Sequence, residues 1–290
     1  MEHSIDCPEL VSFDGTFEVA GAPTHPGERM RGRAAAKAKL EKVVARIASL
    51  QRKLYADNRY AVLVVFQAMD AAGKDSTIRN VLSGVNPAGF MVRNFQAPSH
   101  EELDHDFLWR TTRNLPERGR IGVFNRSYYE EVLIVRVRPE LLAPQRLPGA
   151  TGGKAFWQER LQSIRDHERH LAHNGTVIVK FFLNVSRDEQ KRRFLDRIEN
   201  PKKRWKFNPK DLDERAHWDA YMAAYEDAIR RTAAPWAPWY AIPADDKPTM
   251  RLTVAKILLA TLQRLDVRFP SIDEAGLQDL ARHEARLRAE

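Results

Sequence analysis

The run VFQAMDAAGKDSTIRNVL, from Val65 to Leu82, sets a lysine directly after a glycine, between an apolar segment and an amphipathic one. That combination suits phosphate binding. Gly73 lets backbone N–H groups approach an anion closely, and Lys74 supplies a point charge for terminal phosphates. The loop positions Ala71, Ala72, Gly73, Lys74, Asp75 and Ser76 are therefore candidates to line phosphates. The usual spacing of such a loop is G-x-x-x-x-G-K-[ST]. Here Ala68 replaces the first glycine and Asp75 replaces the hydroxyl residue. Loss of the hydroxyl removes the usual Mg²⁺ ligand. Asp70, inside the loop, offers a hard carboxylate oxygen instead, or a base for an attacking phosphate oxygen. A carboxylate among phosphates is unfavourable unless a metal or a proton intervenes.

A second cluster lies in GRIGVFNRSYYEEVLIVRV, Gly119–Val137. Its strand-like part ends in Asn125 where an acid is usual, so the metal carboxylate must come from elsewhere. Glu130 and Glu131 are the candidates. Consecutive helical residues point about 100° apart, so only one of them can face a site squarely. Arg126 follows the strand, where ligands of open α/β sheets bind. A third cluster, KRRFLDRIENPKKRWKFNPKDL (Lys191–Leu212), carries Arg193 and Arg197 at i, i+4 spacing, then Lys202, Lys203, Arg204 and Lys206 around Trp205. Cations in this density suit a lid that closes over phosphates and excludes water.

The elements that must hold these groups alternate. YAVLVVF reads as a buried parallel strand, followed by a helix over Lys74–Ser83. Further strands are expected at Gly89–Phe95, Arg120–Asn125, Thr176–Val185 and in WYAIPA. Helices are expected in SHEELDHDFLWRTTRNL, with Ser99 and Glu102 shaped as a capping box, in FWQERLQSIRDHERHLAHNG, in SRDEQKRRFLDRIEN, in LDERAHWDAYMAAYEDAIRRT and in TMRLTVAKILLATLQRL. This alternation predicts an α/β fold with a five-stranded parallel sheet flanked by helices. Before it comes an irregular arm to Gly27 and a long basic helix from Glu28 to Asp57, with Leu40, Val43, Val44, Ile47 and Leu50 on one stripe. One domain over 1–290 is expected: arm and helix over 1–56, core over 57–265 with the lid near 186–215, and a charged tail over 266–290.

The chain has 290 residues, with 47 Lys and Arg against 39 Asp and Glu, a formal net charge of +8. The excess of cations points to an anionic partner, either nucleic acid or a small polyanion. The longest apolar run, Ala61–Phe66, is too short to cross a bilayer, and the N-terminus lacks the pattern of a secretory signal. The one cysteine, Cys7, excludes an intrachain disulfide and fits a reducing, cytoplasmic setting.

Taken in order, FQAMDAAGKDSTI, VNPAGF, SHEELDHDFLWR, GVFNRSYYEEVLIVRV, RRFLDRIENPKKRWKFNPKDLDERAHWDAYMAAYEDAI and WYAIPADDK resemble polyphosphate kinase family 2 over Tyr60–Lys247. The family's own loop reads D-x-x-G-K-D, so Ala68 and Asp75 are its normal form. The resemblance implies a thymidylate-kinase-like P-loop kinase fold with a helical lid. It implies Mg²⁺-dependent transfer, with Mn²⁺ also accommodated, between inorganic polyphosphate and a nucleotide. Carried over, Lys74 holds phosphates, and Asp70 binds metal or acts as base. Arg126, Arg193 and Arg197 neutralise charge, with Lys206 beside them. Glu131 falls on the second acidic position, where Asp is common. Arg79 and Arg136 line the polyphosphate path. F-N-R-S-Y-Y-E-E is similar to members that accept monophosphates, so AMP and ADP are the expected acceptors and ATP the product. A homo-oligomer, dimer or tetramer, is expected, with no nucleic-acid or membrane partner. The rivals are an ATP-dependent nucleoside monophosphate kinase and a nucleic-acid binder with a vestigial loop.

Overall fold

The computed structural model describes residues 3–27 and 33–290. The expected beginning of the long N-terminal helix at Glu28 lies outside them. Helix α1 is described over Arg33–Asp57, with Leu40, Val44, Ile47 and Leu54 buried and Val43 and Leu50 at the margin. It lies along α10 (Lys247–Arg264).

Among the described residues, five strands form one parallel sheet. They are β1 (Ala61–Gln67), β2 (Phe90–Asn94), β3 (Ile121–Asn125), β4 (Thr176–Asn184) and β5 (Trp239–Pro243), in the order β2-β3-β1-β4-β5. β1 is buried throughout because helices cover both faces, which is why it reads as an unbroken apolar run. It is also where the winding reverses, with β3 on one side and β4 on the other. The crevice in which such folds bind ligands therefore opens at the C-terminal end of β1.

The first edge of the sheet that needs covering is β5. The arm does this: Leu10 bridges Tyr240 in antiparallel sense, Val11 N–H donates to Trp239 O and Ala241 N–H donates to Glu9 O. The arm thus protects an edge rather than merely lying on the surface.

Two expected helices are interrupted. The Ser99 segment forms α3 (His100–Leu103) with the full capping box, then breaks, and resumes as α4 (Trp109–Thr112). The break is local side-chain competition: Asp106 Oδ1 accepts the Leu108 N–H at 2.9 Å. The other divides at His217 into α8 (Lys210–Ala216) and α9 (Trp218–Thr232). Between lie α2 (Lys74–Val81), α5 (Ile134–Val137), α6 (Lys154–His173) and α7 (Arg187–Glu199), and α11 (Glu274–Ala289) closes the chain. No described helix is long and apolar enough to cross a membrane.

Candidate active site

The loop after β1 turns sharply at Gly73, which has φ 110° and is the residue before α2. A Cβ there would stand 3.3 Å from Met250 Cε and 3.5 Å from Ser76 Oγ, so glycine satisfies both dihedral and space. Ala71, also left-handed at φ 61°, is not a glycine. Its conformation is held from outside. Arg193, almost fully buried on α7, donates to Ala71 O at 3.0 Å and Ala72 O at 2.6 Å. The same guanidinium donates to Ala244 O at 2.6 Å and Asp245 O at 3.2 Å, and its Nε to Glu189 at 2.6 Å. Every donor group of Arg193 is engaged within the protein, while the residue still lines the cleft at the loop. It is a clamp that fixes the loop against the β5–α10 turn.

Lys74 is buried and donates to Ala68 O at 2.7 Å, so the residue in place of the first glycine serves as its backbone anchor. Burial and the neighbouring Arg126 pull its pKa below the usual lysine value, against the opposing pull of Asp70, Glu130 and Asp75. Ser76 Oγ turns back to Gly73 O at 3.0 Å.

Arg126 leaves β3 with φ 64°, its N–H donating to Phe66 O at 3.1 Å. Its guanidinium donates to Asp70 Oδ1 at 3.0 Å. Glu130 first, then Asp70, hold its pKa above the ordinary arginine value.

The two unusual positions meet. Asn125 Nδ2 donates to Asp75 Oδ1 at 2.6 Å. In the usual arrangement a hydroxyl sits on the loop and an acid on the strand. Here the acid is on the loop and the amide on the strand, so the pair keeps one charge and one hydrogen bond with the partners exchanged.

The acids divide. Tyr128–Val132 is a 3₁₀ turn, in which neighbours diverge by about 120°. Its Tyr128 and Tyr129 hydroxyls both donate to Glu168 Oε1 at 2.9 Å, and Glu168 pairs with Lys180 at 2.5 Å in a fully buried cluster. That anchoring sets the rotation of the two residues that follow. Glu130 is coupled to Arg126, Lys74 and Asp70; burial raises its pKa while the two cations lower it. With the Gln67 amide oriented to suit its neighbours, its N–H donates to Glu130 Oε1 at 2.9 Å. Glu131 instead accepts from Gln145 at 2.7 Å and Arg160 at 3.3 Å. Glu131 thus sits in a separate ion pair, and Glu130 is the acid coupled to Asp70.

Two cavities flank Arg126. One, about 690 Å³, is lined by the whole loop from Asp70 to Ser76, by Asn125, and by Arg193, Arg197, Lys203, Trp205, Lys206 and Lys247. Its outer cations are partly engaged: Arg197 with Asp211 at 3.1 Å, and Lys203 with Asp196 at 2.6 Å. Lys206 sits 4.9 Å over the ring of the exposed Trp205. The other cavity, about 300 Å³, is mainly apolar, with Phe95, Pro98, Leu103, Phe107, Ile134 and Val135 on its walls and Glu130, Glu131 and Gln145 at polar points. Phe95, Gln96 and Arg126 belong to both.

Two expected residues lie apart from these walls. Arg136 pairs with Asp227 at 2.6 Å and ties α5 to α9. Arg79 is exposed on α2. Lys247, at the start of α10, is not among the site residues expected from the sequence, although it closes the segment WYAIPADDK.

A divalent metal fits the donor set. Mg²⁺ takes one or two protein carboxylates and completes its shell with water and substrate phosphates. Asp70 opens on the cleft with Oδ1 alone engaged, Glu130 is near, and the buried Asn125 Oδ1 has no partner.

The family profile for polyphosphate kinase 2 (PPK2) matches residues 30–270. An ADP-polyphosphate phosphotransferase of Rhodopseudomonas palustris is 57% identical over 238 residues, 82% of each chain. An AMP/ADP-polyphosphate phosphotransferase of Meiothermus ruber is 45% identical over 267 residues, 92% of this chain and 96% of that one. The crystal structure of polyphosphate kinase 2 from Arthrobacter aurescens TC1 superposes with a TM-score of 0.85 at 38% identity, covering 95% of both chains.

Proposed function

The chain belongs to the polyphosphate kinase 2 family, and from that premise we propose that it transfers the terminal phosphoryl group of inorganic polyphosphate to ADP and AMP. One observation carries this reading. The cation-lined cleft at Gly73 and Lys74, roomy enough for several phosphates, meets an apolar cavity of nucleoside size at Arg126.

In this reading the polymer's terminal phosphates lie on the loop amides and Lys74, and the nucleoside enters the apolar cavity. An acceptor phosphate oxygen attacks the terminal phosphorus in line. The bond to the next phosphate breaks, and the polymer leaves one phosphate shorter. The acceptor oxygen is already ionised near neutral pH, so no strong base is required. Positioning and charge compensation supply the rate. Arg126, shared by both cavities, faces donor and acceptor together. Asp70 and Glu130 would hold Mg²⁺, or Mn²⁺, whose positive charge would offset that of the phosphates. Arg193 acts as a positioning residue, holding Ala71 and Ala72. The chain is read as one kinase domain over 1–290 with its lid near 186–215, working in the cytoplasm as a homo-oligomer.

The test is one coupled assay of ATP formation with Mg²⁺ and long-chain polyphosphate, supplying ADP or AMP separately. Lys74→Ala and Asp70→Asn should each remove turnover, on the order of 10²-fold or more. AMP phosphorylation driven by ATP and not by polyphosphate would instead establish the monophosphate-kinase reading.

A further inference from the structure

Helix α7 reaches the phosphate loop with two buried side chains. Gln190 Nε2 donates to Asp70 O at 2.9 Å, and Arg193 donates to Ala71 O and Ala72 O. Three successive carbonyls of the loop therefore hang on one helix. In a planar peptide the carbonyl and the next N–H point opposite ways. Holding Asp70 O and Ala72 O thus fixes the direction of the Ala71 and Gly73 N–H groups, so the seat of α7 sets the aim of the loop.

That seat is made by Asp245. Ser186 caps α7, accepting from Glu189 N–H at 3.1 Å, and donates its own N–H to Asp245 Oδ1 at 2.8 Å. Asp245 O accepts from Arg193 at 3.2 Å, so one residue meets the helix at its first turn and at its clamp. The Asp245 side chain is 1% exposed, and its Oδ2 lies 3.1 Å from His25 Nε2, a contact without hydrogen-bond alignment. A carboxylate buried this deeply is costly to the fold, and Ser186 already supplies the cap. The arm closes on the same point. Asn184, buried at the end of β4, donates to Ala22 O at 2.9 Å and to Pro23 O at 3.4 Å, and Asp245 N–H donates to Thr24 O at 3.0 Å. None of Ala22–His25, Asn184 or Asp245 lines either cavity.

We propose that Asp245 is a positioning residue for the phosphate loop and that Ala22–His25 is the strap that keeps it in place. The arm fixes Asp245, Asp245 fixes α7, and α7 aims the loop. This rests on the proposed function only for what the loop binds. Releasing the strap leaves every residue of the cleft present and lets α7 shift. The cost falls on the phosphate side, because α7 contributes no wall to the apolar cavity.

The experiment compares wild type with Asp245→Ala, Asp245→Asn, Asn184→Ala and Tyr240→Phe. The last breaks the bond from Ile5 N–H to the Tyr240 hydroxyl at 2.7 Å, an arm contact remote from α7, and controls for loosening of the arm in general. Two readouts are taken: initial-rate kinetics with long-chain polyphosphate and ADP, and hydrogen–deuterium exchange over residues 68–76 of the ligand-free protein. Asp245→Ala should raise the KM for polyphosphate about tenfold, since a full 1 Å misplacement costs on the order of 10²-fold. The KM for ADP should stay within about twofold, and exchange over 68–76 should quicken by about threefold or more. Asp245→Asn keeps an oxygen for Ser186 N–H and should remain within about threefold of wild type in both readouts. Asn184→Ala should move both in the same direction as Asp245→Ala, and Tyr240→Phe should move neither. Unchanged exchange and KM in Asp245→Ala, an Asn variant as poor as the Ala variant, or equal changes in Tyr240→Phe would overturn the positioning role and leave the proposed function intact. An inert Asn184→Ala beside an affected Asp245→Ala would overturn the strap. A wild type without turnover on polyphosphate removes the proposed function, and exchange over 68–76 then still decides the strap.

Discussion

The exchanged pair Asp75–Asn125 makes a charge-swap experiment informative. Replacing Asn125 by Asp puts a second carboxylate where an amide now donates at 2.6 Å to Asp75. At an effective dielectric of about 20, two unit charges at that distance repel by roughly 6 kcal/mol. Asp75 is exposed, so water and a shared proton reduce this, and the pair titrates as a unit with one pKa strongly raised. A disturbance of roughly 3 kcal/mol beside Lys74 is enough to lower kcat by on the order of 10²-fold. Asp75→Thr alone removes the carboxylate and should cost a similar factor. The double variant Asp75→Thr/Asn125→Asp restores the usual order, with a hydroxyl on the loop donating to an acid on the strand. It keeps one negative charge and one hydrogen bond, so it should return to within about tenfold of wild type. The assay is a double-mutant cycle on ATP formation, with melting temperatures for all four proteins. The coupling free energy should reach about 2 kcal/mol or more. Additive losses, with the double variant as poor as the product of the singles, would refute the claim that the two residues act as one exchanged unit.

Lys180→Met should lose about 3–5 kcal/mol in a urea titration, since it leaves Glu168 buried without its cation; Lys180→Met/Glu168→Gln should recover at least 1 kcal/mol of that. Burial pulls the Lys247 pKa down to about 8, so its charge is present below that pH and lost above it. The KM for polyphosphate should rise as pH increases through 8, and Lys247→Arg should flatten that profile. Between pH 8 and the unfolded lysine value near 10.4 the unfolded chain holds more protons, so this lysine's contribution to stability grows as pH rises. Glu130→Gln should lower kcat by on the order of 10²-fold and raise the metal concentration needed, while Glu131→Gln should act on nucleotide KM, because that carboxylate borders the apolar cavity; the opposite pattern in initial-rate kinetics would restore Glu131 to the metal.

What the sequence made legible follows physical range. The strand before Asp70, the glycine turn, Lys74 and the parallel alternation are local patterns, and each is found where periodicity and loop chemistry place it. The capping box at Ser99 is equally local. The choice between Glu130 and Glu131 is not. It depends on a 3₁₀ rather than an α turn, fixed by tyrosines that bond to Glu168, a residue 39 positions from Tyr129. One signal was available, a lone lysine in the apolar run TVIVKFFLNV, since a charge inside a central strand requires a buried partner. Arg193 could not be read as a clamp because its carbonyl partners lie up to 122 positions away. The inverted Asp75–Asn125 pair was visible as two separate anomalies, and only the alignment of β1 against β3 turns them into one compensation.

The site also stores conformational strain at the points that bear its charge. Ala71 and Arg126 both sit in the left-handed region, which costs a non-glycine residue roughly 1–2 kcal/mol each. They belong to different loops, yet the ion pair between Asp70 and Arg126 joins those loops at 3.0 Å, and Arg193 secures the first from α7. Neither strained residue would hold its conformation alone. The consequence concerns electrostatics. Lys74 has lost much of its hydration, and Asp70 and Arg126 satisfy each other across the cleft mouth. The charges that must meet a phosphate chain are therefore already oriented and partly desolvated before it binds. The reorganisation that would otherwise accompany phosphoryl transfer has been completed during folding, supported by the burial of β1 and β3 beneath the same loops.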